Sequence, residues 1–189
     1  MGQKITIDSS TLMNQALEII EAKYLFNEDP DKIEAIIHPE GLIHSFVEFC
    51  DGTILAAMAI PDMKIPISYG LSYPDIVESH TNKINLQQLK NLSFKTIDPL
   101  KFPSIDFAYF ALNHENGMPI ILNAANEVAV ELFMKNKISF LNIYEIISTT
   151  LNYAYKSNIH LTSVSLESIL EFNEKAKEIA LNFAAENIK

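Results

Sequence analysis

A chain of 189 residues that is 48% hydrophobic and 20% charged carries enough apolar material for a packed core, which excludes a disordered polymer. Fourteen lysines and arginines against 24 aspartates and glutamates leave a net charge of −10; this repels phosphate backbones and anionic membranes, so neither nucleic acid nor membrane is expected as a partner. All fourteen cations are lysines, so an anion site here must use lysine, hydroxyls, amides or helix amino termini in place of the guanidinium fork.

Met1 is followed by Gly2, Gln3 and Lys4, not by an apolar signal core, and no run of about 18 apolar residues occurs, so a cytoplasmic protein is expected. The single cysteine, Cys50, has no partner for a disulfide or a zinc site and is expected to be a buried thiol.

In chain order, the spacing predicts a first helix from position 10 or 11 to about 26, capped by Asp8, Ser9 and Ser10. Asn27-Glu28-Asp29-Pro30 ends it and opens a short helical turn, and residues 34–38 read as extended. Asp51-Gly52 between apolar runs at 42–49 and 53–59 is a hairpin signal, and 66–73 reads as a short helix. Pro99 and Pro103 interrupt the pattern, after which helices are expected near 103–115, 123–135, 142–157 and 165–187. In the last of these, Leu166, Ile169, Leu170, Ala176, Ile179, Ala180 and Phe183 are expected in the core, as is Met63 earlier in the chain. The parse is α+β: a sheet-and-helix portion with a β-hairpin over 1–99, then a small four-helix-type bundle over 100–189.

On the first helix, steps of about 100° gather Thr11, Asn14, Gln15, Glu18 and Glu21 into one polar stripe on an otherwise apolar surface. No acid stands where a capping box would place it, so the N–H groups of the first turn are available to an anion, unless Asp8 occupies them. Glu18 follows Asn14 by one turn, which suits a divalent cation beside a bound phosphate. An amphipathic surface helix with serine caps and solvated glutamates explains the same pattern.

The run Lys4-Ile5-Thr6-Ile7-Asp8-Ser9-Ser10-Thr11-Leu12-Met13-Asn14, with Glu18-Ile19-Ile20-Glu21-Ala22 and Leu25-Phe26 after it, resembles the 1-deoxy-D-xylulose 5-phosphate reductoisomerase family. Ile37-His38-Pro39, Ile43-His44-Ser45, Pro61-Asp62-Met63 and Leu122-Asn123-Ala124-Ala125-Asn126-Glu127 extend the likeness over nearly the whole chain. The resemblance implies an NADPH- and metal-dependent enzyme of isoprenoid precursor synthesis that converts 1-deoxy-D-xylulose 5-phosphate, a sugar phosphate, to 2-C-methyl-D-erythritol 4-phosphate. By it, Ser9, Asn14 and Gln15 touch the substrate phosphate, Glu18 binds substrate and holds Mg²⁺ or Mn²⁺, and His44 is the catalytic-site histidine. Gly2 would lie beside NADPH, with Met1 and Gly2 in a loop that closes over the substrate.

At Gln15 the family usually carries a lysine. The resemblance also implies that the amino-terminal NADPH-binding half is missing from this chain, that the chain is inactive alone, and that it forms a homodimer through its sheet. The rival expectation is a non-catalytic dimerisation or scaffold module.

Overall fold

The structure, a computed structural model, describes residues 2–89 and 91–187. Its elements are α1 (Gln3–Ser10), α2 (Met13–Phe26), β1 (Ile43–Glu48), β2 (Ile54–Met58), α3 (Lys64–Ser72), α4 (Ser104–His114), α5 (Met118–Met134), α6 (Phe140–Lys156) and α7 (Leu166–Asn187), with short 3₁₀ turns at Pro30–Lys32 and Leu86–Gln88. The class is α+β, as the pattern predicts. No described helix is long and apolar enough to cross a membrane.

Two compact units emerge, one joining the first 35 residues to everything from Ile97 onward, the other spanning Ile36–Thr96. This grouping differs from the division at residue 99, because α2 buries Met13, Ala16, Ile19 and Ile20 in the same core as the carboxy-terminal helices. The centre of that core is α5, which packs against α4, α6 and α7. Ala124, Ala125 and Ala129 lie fully buried on it, and their small side chains let neighbouring backbones approach. Opposite them, α6 presents Ile143, Ile146, Ile147, Leu151 and Ala154 at the three- and four-residue spacing of a buried helical face.

The first helix is not one helix. Helical backbone begins at Gln3 and breaks at Leu12, whose φ of 55° is left-handed, before α2 starts at Met13. Ser9 and Ser10 are not caps: their hydroxyls donate to the carbonyls of Ile5 and Thr6, at 2.7 and 2.8 Å, as serines inside a helix do. Thr11 serves α2 in their place, its Oγ1 accepting the Met13 N–H at 3.3 Å.

Other boundaries shift for local reasons. The helix expected from 123 begins at Met118, because Gly117 turns left-handed with φ 92° and Pro119 fits the first helical turn. In α7 the buried seam is Phe172, Ala176, Ala180 and Ala184, while Leu166 and Leu170 at its start are exposed. Tyr24, Leu25 and Phe26 at the end of α2 are exposed too, as is Met63.

In the second unit β1 and β2 pair antiparallel, Phe46 facing Ala56 and Glu48 facing Ile54. Gly52, at φ 82°, makes the turn, and the Thr53 N–H donates to Asp51 Oδ1 at 2.9 Å. Cys50 beside this turn is exposed, not buried, because the tip of a two-stranded hairpin has no layer to cover it. His38 is held structurally, its Nδ1 donating to the Ser93 carbonyl at 2.9 Å and its ring stacked on Phe94.

Candidate functional site

The break between α1 and α2 forms an elbow, and the residues predicted to hold an anion lie on either side of it. Ser9 is in the last turn of α1; Asn14 and Gln15 are in the first turn of α2. In any helix the first N–H groups lack intrahelical acceptors. Here Thr11 takes that of Met13 and the Leu12 carbonyl takes that of Ala16, so the Asn14 and Gln15 amides are the donors α2 can offer at its positive end.

Asp8 does not occupy those donors. Asp8 is 3% exposed; Asn126 Nδ2 of α5 donates to its Oδ1 at 2.9 Å, and Lys4 Nζ, one turn back on α1, pairs with its Oδ2 at 2.7 Å. The sequence raised the competition between Asp8 and a ligand; in the structure Asn126 and Lys4 take both carboxylate oxygens.

One turn along, Asn14 Nδ2 donates to Glu18 Oε1 at 2.7 Å, so these two predicted residues are brought together. Much of the Glu18 surface is open to solvent, yet its carboxyl is set among protein atoms closely enough to matter. Desolvation pushes its pKa above the ordinary carboxylate value, the Asn14 hydrogen bond pulls it down, and the neighbouring Glu21 charge pushes it up again. Gln15 is half-buried, and its Oε1 is buried without a hydrogen-bond partner among the described residues. Side-chain amide oxygen and nitrogen are interchangeable by a flip, so this orphan can present a donor to an anion or an acceptor to a hydroxyl.

The remaining predicted residues are on other segments. Gly2 is exposed, precedes α1 in extended backbone and accepts the Thr6 hydroxyl; Met1 lies outside the described residues. His44 is on β1 in the other unit, with Nε2 donating to the Ala59 carbonyl at 3.1 Å.

For a divalent metal the fit is partial. No group of three His, Cys, Asp or Glu side chains that could hold an ion occurs among the described residues. Glu18 is one oxygen ligand, and Mg²⁺ is commonly held by one or two carboxylates completed by substrate oxygens and water. An open depression of about 600 Å³ lies at the far ends of α2 and α4, lined in part by Lys23, Asn27, Glu28, His114 and Glu115; none of the predicted site residues borders it.

Residues 58–179 match the family model described as the DXP reductoisomerase C-terminal domain, and residues 1–26 match that of the 1-deoxy-D-xylulose 5-phosphate reductoisomerase C-terminal domain. The chain belongs to the 1-deoxy-D-xylulose 5-phosphate reductoisomerase family. The reductoisomerase of Desulforamulus reducens is 49% identical over 180 residues, covering 95% of this chain and 46% of its own length. That of Prochlorococcus marinus is 45% identical over 189 residues, covering 100% of this chain and 45% of its own.

Among solved structures, the Zymomonas mobilis reductoisomerase in complex with NADPH superposes with a TM-score of 0.89 at 36% identity, covering 96% of this chain and 47% of that one. A DOX-P reductoisomerase in complex with NADPH, fosmidomycin and magnesium superposes at 0.89 with 39% identity, covering 98% of this chain and 47% of that one. This chain therefore spans about half the length of the reductoisomerases it matches.

Sequence reasoning missed the reductoisomerase elbow's supports. It placed Asn126 in the run that carries the family likeness and gave it no structural task, although Asn126 lies inside α5 and bonds Asp8. Lys4 and Tyr144 also went unnoticed; the Tyr144 hydroxyl reaches the Thr11 carbonyl at 3.4 Å. The Asn123–Asn126–Glu127 run was the available signal, since two amides and an acid in so apolar a helix need partners.

Proposed function

We propose that this chain supplies part of the substrate- and metal-binding site of a reductoisomerase that converts 1-deoxy-D-xylulose 5-phosphate to 2-C-methyl-D-erythritol 4-phosphate with NADPH. The observation that carries the reading is the elbow with the Asn14–Glu18 pair one turn beyond it, the Asp8 carboxylate being engaged by Asn126 and Lys4. Ser9, Asn14 and Gln15 bind the substrate phosphate, and Glu18 offers one carboxylate to Mg²⁺ or Mn²⁺. An ion held there by Glu18 would supply Lewis-acid polarisation of the substrate carbonyl.

In this reading residues 1–99 are the partial catalytic and dimerising portion and 100–189 the carboxy-terminal helical domain. His44 orients a carboxylate or a substrate oxygen, and Gly2 borders NADPH. The amino-terminal half of the enzyme provides the NADPH site and the other metal ligands, so this chain alone does not turn over, and its partners are that half, the sugar phosphate and a second copy. The apolar side chains exposed on the hairpin, Phe46, Val47, Ile54 and Leu55, support a homodimer built through it. The enzyme works in the cytoplasm.

Calorimetric titration of the folded chain with Mn²⁺ and then fosmidomycin tests the reading. Heat with either ligand is expected; no heat with either favours the scaffold module. In the same titration Gln15→Lys is expected to tighten fosmidomycin binding about tenfold, a neutral contact becoming a charge-assisted one. Unchanged binding removes Gln15 from the phosphate site.

A further inference from the structure

We propose that Asn126 is a positioning residue: from the middle of α5 it clamps Asp8 and thereby sets the elbow that presents Asn14 and the first-turn amides of α2 to a phosphate group. The inference rests on the reading of α2 as the phosphate-binding helix, and it assigns a task to a bundle residue that touches no ligand.

Asn126 is fully buried on the helix at the centre of the core, and its Nδ2 donates to Asp8 Oδ1 across 118 residues of chain. Leu122, Ala125 and Ala129 on the same helix are fully buried too, so Asn126 sits in a close-packed interior. Asp8 is nearly as buried, and Lys4, one turn back on α1, takes its other oxygen, so both carboxylate oxygens are engaged. Asn126 Oδ1 is buried without a partner among the described residues, so the hydrogen bond to Asp8 accounts for the placing of this amide.

Two consequences follow for the elbow. The last turn of α1 is pinned three residues before Thr11, so the left-handed Leu12 turn and the entry of α2 are held from one side by α5. The Asp8 carboxylate is also kept off the α2 amides. Released, it lies five residues from Met13 and competes for the same donors with a charge that repels an incoming phosphate.

The test uses the folded chain, with inorganic phosphate as probe, and reads the NMR signals of the Asn14 and Gln15 amides and amide hydrogen exchange. Asn126→Leu keeps much of the bulk and removes the donor; Asn126→Asp sets two carboxylates face to face; the exchange pair Asp8→Asn with Asn126→Asp restores a hydrogen bond of reversed polarity. Both single variants are expected to speed exchange at residues 11–15 while amides around Ile121 and Ile147 stay protected, and to weaken phosphate binding about tenfold, the loss that one unpaired buried polar group produces. The exchange pair is expected to recover most of both.

Elbow exchange that rises with unchanged phosphate affinity overturns the positioning role while leaving the phosphate reading intact. Protection lost evenly through the bundle, or affinity that the exchange pair does not recover although elbow exchange returns to normal, makes Asn126 merely structural and also overturns it. A wild-type chain whose Asn14 and Gln15 signals ignore phosphate refutes the phosphate reading itself, and the positioning role falls with it.

Discussion

Glu18→Gln is expected to abolish divalent-metal binding to this chain and, in the protein joined to its amino-terminal half, to lower turnover by about a hundredfold or more, since disturbing even the partners of metal ligands costs 10–100-fold. The Glu18 carboxylate is the oxygen donor held beside Asn14 by a hydrogen bond, and an amide oxygen is a poor replacement for a hard cation. The fold should survive, because Glu18 faces solvent while the buried face of α2 is Met13, Ala16, Ile19 and Ile20. Circular dichroism separates loss of metal from loss of structure. Near-normal turnover in the variant removes Glu18 from the metal site.

The pH dependence of the same group has a definite sign. Desolvation first, and Glu21 after it, raise the Glu18 pKa against the opposing Asn14 hydrogen bond, so the folded chain holds this proton to a higher pH than the unfolded chain does. Stability associated with the protonated form is present below the unfolded pKa and is lost as pH rises through the folded one. Metal binding needs the carboxylate, so it weakens on acidification in a range above the ordinary carboxylate value. In Glu18→Gln the decline in stability across that window should be missing. A wild-type metal-binding curve that titrates below the ordinary carboxylate range contradicts this account.

Gly117→Ala is expected to be the most destabilising single-atom change in the bundle. Gly117 has a φ of 92°, a conformation that costs an alanine about 1–3 kcal/mol. An added Cβ would also stand 2.6 Å from Phe172 Cε1 and 3.1 Å from Leu161 Cβ. Phe172 is 8% exposed within the core and has little room to retreat, so overpacking adds about 1–3 kcal/mol. The combined loss, about 2–6 kcal/mol, is a large part of the roughly 5–15 kcal/mol available to a domain. Urea unfolding should show a markedly lower midpoint, and Phe172→Leu in the same chain should return only the share due to the clash. A midpoint equal to wild type means that the α4–α5 turn does not have this geometry.

Periodicity made most helices and the hairpin legible, because α6 and the Asp51-Gly52 turn are specified by residues close in sequence. The elbow was not, because its determinants are remote. Nothing within a few residues of Asp8 says that it will be buried, since its partner Asn126 comes 118 residues later and the Tyr144 contact to Thr11 spans 133. Local rules therefore assigned Ser9 and Ser10 to a cap that Thr11 supplies. The grouping of the first two helices with the bundle was hidden for the same reason.

Among the site residues, the pairing of Asn14 with Glu18 was readable from four-residue spacing alone. The withdrawal of Asp8 and the orphaned Gln15 oxygen depend on what the bundle brings against α1 and α2, and no window of sequence contains both sides.

Adding a small amount of Mn²⁺ to the isotopically labelled chain, followed by fosmidomycin, tests most directly whether α2 binds both a cation and an anionic group. Paramagnetic broadening should centre on Glu18 and the Asn14 side-chain amide, and fosmidomycin should then shift the Asn14 and Gln15 backbone amides. Broadening centred instead on Glu28 and Glu115 at the far ends of α2 and α4, with the Asn14–Glu18 signals untouched, would contradict the account.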